Sequence, residues 1–306
     1  MLMIVLGAAA GGGFPQWNSN APACRRARHG DPQAPARTQA SLAVSADGKT
    51  FFLLNASPDL RQQIEATPSL HPADGPRHSP IAGVVLTGGD VDAIAGLLVL
   101  RERHAFTVWG AAPVMDVLEA NPIFEVLGRD LVARRTVALD RPFPLARPDG
   151  TESGLTAELF AVPGKTPLYA ERPGEDPPII ADGTTVGIAI GDGRSRAFFI
   201  PGCAEFPDWL GARLRGADLV FFDGTLWRDD EMITAGVGTK TGRRMGHMSQ
   251  TGPAGTLAAF AGLGVRRKVL IHINNSNPVL LADSAERAEA EARGWTIAAD
   301  GMRFET

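Results

Sequence analysis

The chain has 306 residues, 44% of them hydrophobic and 21% charged, so it can bury a sizeable core and disorder as its main state is excluded. Its formal charge is −4, and without a dense basic cluster it is not expected to bind nucleic acid. The two cysteines, Cys24 and Cys203, provide neither a disulfide framework nor a CxxC metal pair, which suits a reducing cytoplasm. No apolar run reaches the roughly 20 residues that span a bilayer, so direct membrane insertion is not expected.

Short β-like runs recur along the chain, and helical patterns follow some of them. The predicted strands cover residues 3–6, 41–44, 51–55, 83–87, 106–109, 136–139, 157–162, 186–190, 197–200, 219–222, 269–273 and 296–299. The predicted helices cover residues 59–66, 92–103, 112–120, 207–214, 253–262 and 284–293. Proline and glycine mark a surface loop at 172–182. This order predicts an α/β fold, an αββα sandwich of two mixed β-sheets flanked by helices, in a single domain over residues 1–306. Two domains are the alternative.

Polar residues that can bind a metal follow several of these apolar strands. Asp90 and Asp92 lie in a glycine-rich turn after the strand at 83–87, although Asp92 could serve only as a helix N-cap. Cys203 follows the strand at 197–200 and could present a thiolate or be inert packing. Asp223 ends the strand at 219–222, as functional residues do at the sheet edges of α/β folds, or it initiates a turn.

Two histidines complete this set. His247 lies in a glycine-flanked loop, where it could transfer a proton or remain a surface histidine. His272 lies inside an apolar strand and precedes Asn274 and Asn275, which could fix its tautomer; a satisfied core histidine is the alternative. Oxygen, sulfur and nitrogen donors from separated strand ends are what a metal cavity at a sandwich edge requires. The predicted donors are Asp90, Asp92, Cys203, Asp223 and His272.

Two further segments indicate anion binding. The turn at 11–13 is three consecutive glycines, whose backbone N–H groups could face an anion, but it lacks the spacing of a nucleotide-binding loop. Arg61 follows a polar segment between a strand and a helix, and its guanidinium is suited to binding a carboxylate. The alternative is that this segment only begins the helix.

Several short motifs cover essentially the whole chain. They are GGGFPQW at 11–17, NASPD at 55–59, VPGK at 162–165, IPGC at 200–203, FDGT at 222–225, MGH at 245–247 and HINN at 272–275. Together they resemble the PqqB family, the B protein of pyrroloquinoline quinone (PQQ) biosynthesis. The resemblance implies a metallo-β-lactamase fold, in agreement with the predicted sandwich, but a fold alone does not give the reaction.

The resemblance implies a role in PQQ biosynthesis, alongside the other proteins of that pathway, and leaves the activity open. One view is an iron-dependent hydroxylase that oxidises the tyrosine ring of a peptide-derived, cross-linked Glu-Tyr precursor. Another is a carrier that takes PQQ or a precursor to the periplasm, and a third is a metallo-hydrolase. A cytoplasmic enzyme is expected, because a chain without a membrane span has no means of moving a solute across a bilayer. A homodimer is left open.

The chain departs from the general metal motif of the fold, HxHxDH, which falls here on Gly88, Asp90, Asp92 and Ala93. All three histidines are absent, so a dizinc hydrolase is not expected. Lys165 stands where the resemblance places the next histidine, and its cation would repel a metal in that half of the site.

The resemblance therefore implies Fe(II) or another divalent metal, zinc included, in the other half of the site, bound weakly or lost because of Ala93. Its ligands would be Asp92 and His272, with Cys203, Asp90 or Asp223. His247 and Asp223 are the predicted catalytic residues. The predicted substrate-binding residues are Arg61, Lys165, Lys240, Asn274 and Asn275. Of the cysteine cluster that holds a structural zinc in many relatives only Cys24 remains, so no such zinc is expected.

Overall fold

The computed structural model describes residues 1–172, 174 and 176–306. Pro173 and Glu175, which belong to the predicted loop at 172–182, lie outside the described residues. The strands are β1 (Leu2–Gly7), β2 (Ser41–Ser45), β3 (Phe51–Leu54), β4 (Ile81–Val85), β5 (Phe106–Gly110), β6 (Val132–Thr136), β7 (Phe143–Ala146), β8 (Glu152–Ala161), β9 (Val186–Gly191), β10 (Arg196–Ile200), β11 (Leu219–Asp223), β12 (Lys268–Ile271), β13 (Trp295–Ile297) and β14 (Arg303–Glu305).

Short helices connect many of these strands. The α-helices are α1 (Pro22–Arg28), α2 (Leu60–Glu65), α3 (Val91–Ile94), α4 (Ala112–Ala120), α5 (Asp208–Leu214), α6 (Glu231–Thr234), α7 (Gly242–Met245), α8 (Thr256–Ala259) and α9 (Ala285–Ala292). Turns of 3₁₀ helix occur at Pro68–Leu70, Ala95–Leu100, Pro122–Val126, Leu168–Ala170 and Pro278–Leu280. Across the described residues, every helix falls short of the length and apolar character needed to cross a membrane.

The strands form two seven-stranded sheets, with the orders β14-β1-β2-β3-β4-β5-β6 and β13-β12-β11-β10-β9-β8-β7. In the first sheet β3 to β6 run parallel and β1 to β3 antiparallel. In the second, β10 to β13 run parallel and β7 to β10 antiparallel. The predicted αββα sandwich of two mixed sheets is confirmed.

The core is layered because successive side chains of a strand point to opposite faces of its sheet. Phe199 on β10 and Phe221 on β11 pack between the two sheets. Their chain neighbours Phe198 and Phe222 point the other way and pack beneath the helices, with Leu210 of α5. Both faces of these strands are buried, which explains their continuous apolar sequences.

The parallel strands also decide where function can be placed. Their carboxyl ends lie along the same edge of each sheet, where α/β proteins usually bind ligands. The loop after β4 in one sheet and the loops after β10, β11 and β12 in the other border one cavity. The strand-end residues singled out in the sequence therefore converge on the same edge of the sandwich.

Where predicted and observed strands disagree, the local sequence gives a physical reason for the disagreement. The run at 136–139 meets β6 only at Thr136, because β6 carries charged, exposed residues that hide its alternation. The edge strands β7 and β14 were missed: β7 contains a proline, and β14 is short and largely exposed.

The helix predicted at 92–103 is shorter in the structure, where the four residues of α3 are followed by a 3₁₀ turn. Gly96 explains the change, because its N–H donates to the carbonyl of Ala56 at 2.8 Å and a Cβ at this position would lie 2.0 Å from the carbonyl oxygen of Ser57. The helices α1, α6 and α7 were not predicted from the sequence.

Replacing Phe199 by alanine should lower the free energy of unfolding by about 3–5 kcal/mol, because the ring fills the space between the sheets and its loss leaves a cavity. Urea unfolding followed by circular dichroism measures the change. Ile123→Ala, at a 61% exposed position, is the control and should change the value by less than about 0.5 kcal/mol. Equal effects of the two substitutions would contradict the packing described here.

Candidate metal centre

A cavity of about 470 Å³ opens at the carboxyl ends of the parallel strands. Asp90, Asp92, His247 and His272 line it together with Lys165. A larger cavity of about 750 Å³ lies elsewhere, between the loops at 48–50, 68–82 and 147–149. The groups that can bind a metal or transfer protons cluster in the smaller cavity, so it is the candidate site.

The loop after β4 supplies two carboxylates. Asp90 occupies the N-cap position of α3 without a side-chain capping bond, and Asp92 lies in the first turn of the helix. Oδ2 of Asp92 lies 2.8 Å from Nε2 of His272, which follows β12 in the other sheet. Asp92 is therefore not the helix N-cap, and its carboxylate joins the two sheets across the cavity.

Asp223, the last residue of β11, is fully buried. Its Oδ2 accepts from the backbone N–H of Cys203 at 2.8 Å and lies 2.7 Å from Nδ1 of His247. Its Oδ1 accepts from the N–H and the hydroxyl of Thr225, at 3.0 and 2.6 Å. Four short contacts offset the cost of burying this charge and fix the orientation of the imidazole of His247.

His272 adopts a backbone conformation that few residues other than glycine tolerate, with φ of 58°. Such a conformation costs about 1–3 kcal/mol and persists only where the surroundings enforce it. It turns the chain at the end of β12 so that the imidazole faces Asp92 on one side and His247 on the other. The two imidazole rings stack with centroids 5.1 Å apart.

Burial and hydrogen bonding act in opposite directions on these groups. Burial and the neighbouring carboxylate of Asp92 raise the pKa of Asp90 to about 6. Burial alone would also raise the pKa of Asp92, but the hydrogen bond and charge of His272 outweigh it and lower that pKa. Burial would lower the pKa of His272, and its bond to Asp92 reverses the sign and raises it. Each member of the pair thus favours the charged form of the other.

The donor set fits a divalent transition metal. Ligand atoms of Asp223, His247 and His272 lie within 4.8 Å of one another, and the Asp92 carboxylate contacts His272 from the other side. Imidazole nitrogen with carboxylate oxygen is a ligand set that both zinc and non-heme iron accept. The sequence predicted one histidine here, and the structure brings His247 beside it as a second.

The thiol of Cys203, a predicted metal ligand, makes a hydrogen bond of its own. It donates to the carbonyl of Glu205 at 3.0 Å, and burial raises the thiol pKa far above its ordinary value. A neutral, hydrogen-bonded thiol is a poor ligand, since metals bind the thiolate. Cys203 contributes instead through its backbone N–H, which binds Asp223.

The predicted substrate-binding residues separate into two groups. Lys165 and Asn274 line the cavity, whereas Arg61, Lys240 and Asn275 are outside its described lining. Arg61 is exposed on α2. Asn275 is buried and donates to Oε1 of Gln16 at 2.5 Å.

Lys165 belongs to a charged cluster at the cavity wall. Its Nζ lies 2.7 Å from Oε1 of Glu171, and Lys240 and Arg244 pair with the same carboxylate at 3.4 and 3.1 Å. These three cations, with Arg244 acting most strongly, lower the pKa of Glu171 to about 2. Because Glu171 already pairs with Lys165, the repulsion that Lys165 would exert on a metal is reduced.

Two site residues were missed in the sequence. Thr225 follows Asp223 by two positions inside the FDGT motif, so its position was a usable signal. Tyr169, whose hydroxyl donates to the carbonyl of Gly89 at 2.7 Å, ties the loop after β8 to the Asp90 loop. It lies in an irregular segment with no periodicity, and only the tertiary contact reveals it.

Comparison with known proteins gives the class that this fold and this site define. A family model described as a beta-lactamase superfamily domain matches residues 50–273, so the chain belongs to that superfamily and the predicted metallo-β-lactamase fold is confirmed.

The particular family follows from close relatives. "Coenzyme PQQ synthesis protein B" of Gluconacetobacter diazotrophicus is 66% identical over 99% of both chains. The protein of the same name from Gluconobacter oxydans is 56% identical over 99% of this chain and 97% of its own. The crystal structure of Zn(2+)-bound PqqB from Methylobacterium extorquens superposes with a TM-score of 0.96 at 49% identity, covering 100% of both chains. The chain belongs to the coenzyme PQQ synthesis protein B family.

The raised pKa of Asp90 makes stability depend on pH. A carboxyl group whose pKa rises from 3.8 to about 6 on folding stabilises the folded protein below pH 3.8, and this contribution is lost as pH rises through 6. In the presence of a chelator, Asp90→Asn should therefore be more stable than the parent at pH 8, by about 3 kcal/mol. The advantage should shrink towards pH 4.

Urea unfolding at the two pH values measures this difference. Asp74→Asn, at an exposed position, is the matched control and should show no pH-dependent gain. A loss of stability on Asp90→Asn at pH 8 would contradict the unfavourable burial assigned to this carboxylate.

Proposed function

We propose that this chain acts in PQQ biosynthesis as a metal-dependent enzyme that hydroxylates the tyrosine-derived ring of a peptide-derived precursor. The close relatives named for PQQ synthesis support the pathway. The observation that carries the enzymatic role is the pairing of Asp92 with His272 at 2.8 Å on an open cavity, with His247 beside them. The choice of hydroxylation rests on the family resemblance.

The metal would be held by Asp92 and His272, with Asp90, which lines the same cavity, as a third ligand. A zinc-bound relative supports divalent metal binding at this fold. We favour Fe(II) as the working metal, because ring hydroxylation needs dioxygen as oxidant and source of the new oxygen atom, with two further electrons from a reductant, and a bound Fe(II) would activate the dioxygen where no side chain here can.

His247 is proposed to move protons. Asp223 Oδ2 receives the Nδ1 hydrogen of His247 at 2.7 Å, and this fixes the tautomer and leaves Nε2 for exchange with a substrate oxygen. The arrangement follows the logic of a buried aspartate orienting a catalytic histidine. Asp223 acts through His247 in this scheme.

Substrate orientation is assigned to Lys165 and Asn274. Lys165 is a cation on the cavity, and Asn274 offers an amide nearby. The exposed side chains of Val91, Leu168 and Tyr169 line the same cavity and give an aromatic ring apolar surface to contact. An anionic, ring-containing ligand would place its carboxylate at Lys165 and its ring towards Asp92 and His272.

A carrier that holds PQQ, a tricarboxylate, is the second candidate. The cluster of Lys165, Lys240 and Arg244 around Glu171 favours it, since Lys165 lines the cavity and the other two cations lie behind it on the same carboxylate, a positive region that suits a multiply charged anion. A metallo-hydrolase that trims the precursor fits less well, because Ala93 and Lys165 occupy positions where the fold's usual zinc ligands would lie.

Replacing His272 by alanine should abolish both metal retention and product formation while the protein stays folded, because the variant loses the nitrogen that pairs with Asp92. The measurement is metal content by plasma mass spectrometry on anaerobically purified protein before and after Fe(II) loading, beside an assay of the hydroxylated product. Circular dichroism reports the fold.

His29→Ala, at an exposed position, is the matched control and should keep metal and activity. Full activity in His272→Ala would disprove the proposed metal-dependent hydroxylase. Absence of metal from both the parent and the variant would favour the carrier.

Replacing Lys165 by methionine should weaken PQQ binding about tenfold, the value of one charge-assisted hydrogen bond. Quenching of intrinsic fluorescence by added PQQ measures the affinity. Lys49→Met is the matched control, because Lys49 borders the separate 750 Å³ cavity, and its affinity should equal that of the parent. Equal affinities in all three proteins would remove Lys165 from the binding site.

A further inference from the structure

The hydroxyl of Thr225 lies among Asp223, His247 and His272, and the proposed hydroxylation assigns it no role. Its Oγ1 is 2.6 Å from Oδ1 of Asp223, 2.9 Å from Nδ1 of His272 and 3.1 Å from Nδ1 of His247. The side chain is almost wholly buried and borders the cavity. A hydroxyl donates one hydrogen and accepts at two lone pairs, so Thr225 cannot be the donor in all three contacts.

The shortest contact determines where the hydroxyl hydrogen lies. A carboxylate oxygen only accepts, and two oxygens 2.6 Å apart need a hydrogen between them, so Thr225 donates to Asp223. The backbone carbonyl of His272, at 3.0 Å, is a more distant and uncharged competitor for the same hydrogen. The lone pairs of Oγ1 therefore face the two imidazoles. Nδ1 of His272 must carry a hydrogen to bind there, whereas the Nδ1 hydrogen of His247 goes to its nearer acceptor, Oδ2 of Asp223 at 2.7 Å.

The same hydroxyl also occupies the space between three groups that could bind an ion. Asp223, His247 and His272 have ligand atoms within 4.8 Å of one another, yet Thr225 Oγ1 already lies 2.6 to 3.1 Å from an atom of each. An ion placed among them would have to displace or ligate this oxygen. The side of His272 that faces Asp92 is free of this obstruction.

We propose that Thr225 is a positioning residue that keeps the hydrogen of His272 on Nδ1 and so offers Nε2, next to the Asp92 carboxylate, to a divalent metal. This inference rests on the proposed function, which assigns Asp92 and His272 as ligands. The carbonyl of Thr225 adds a second constraint, because it accepts from the N–H of Asn274 at 3.0 Å and holds the chain just beyond His272. A hydrogen bond at the distal nitrogen is how proteins usually orient a ligating histidine.

The test compares Thr225→Val, which removes the hydroxyl at nearly constant shape, with Thr225→Ser, which restores it. Thr107→Val, at a buried threonine of β5, is the control for the substitution itself. The first readout is Zn²⁺ affinity by competition with a chelating dye. We expect Thr225→Val to bind Zn²⁺ ten- to a hundredfold more weakly, and Thr225→Ser and Thr107→Val to stay close to the parent.

The second readout is the histidine ¹⁵N spectrum of the zinc-loaded protein, which reports the nitrogen that carries hydrogen. In the parent and in Thr225→Ser, His272 should show a protonated Nδ1 and a metal-bound Nε2. A parent spectrum with hydrogen on Nε2 and metal on Nδ1 would overturn the inference, even if Thr225→Val did not fold. Unchanged affinity and spectrum in a folded Thr225→Val would also overturn it.

Failure of the proposed function gives a different result. If His272→Ala keeps the zinc of the parent, the ligand assignment itself is wrong, whatever the Thr225 variants do. If His272→Ala loses zinc while Thr225→Val keeps it with the parent spectrum, only the role of Thr225 falls.

Discussion

The buried carboxylate of Asp223 is the constraint on which the rest of the site depends. A charge removed from water costs several kcal/mol unless its lone pairs are filled, and here they are filled by Cys203, Thr225 and His247. Those partners come from the loop after β10, the end of β11 and the loop after α7. Satisfying one carboxylate therefore draws two other loops to the end of β11 and fixes the imidazole of His247.

A second polar contact joins this cluster to the opposite sheet. Asp92 follows β4 and His272 follows β12, and their contact at 2.8 Å crosses the edge between the two sheets. The strained backbone of His272 turns the imidazole towards Asp92, so conformational energy is stored where the two sheets meet. The cavity is lined by the carboxylates of Asp90 and Asp92 and by the Lys165 cation, a set of charges that suits a ligand carrying both a reactive ring and carboxylates.

The fold of the β-lactamase superfamily is kept here, while the ligand pattern usual for that fold is not. Gly88, Asp90, Ala93 and Lys165 stand where that pattern places four histidines, and His247, from a loop late in the chain, places its ring against that of His272. Two histidines and the carboxylates of Asp90, Asp92 and Asp223 still converge at this edge of the sandwich. The histidine set that a dinuclear zinc hydrolase of this fold uses is therefore incomplete.

The sequence alone determined the sandwich, most of its strands and the identity of the strand-end donors, because buried parallel strands are continuous apolar runs and a polar residue at their ends stands out. It missed β7 and β14, whose exposed edge positions carry no such pattern. Contacts between residues far apart in sequence came only from the tertiary structure: Asp92 pairs with His272, His247 stacks beside it, and the hydroxyl of Thr225 lies next to both histidines. The direction of the Cys203 thiol, towards the carbonyl of Glu205, was likewise visible only in the structure. Local sequence encodes which face of a strand is apolar, but the direction of a side chain at a loop end is set by the partners that folding brings to it.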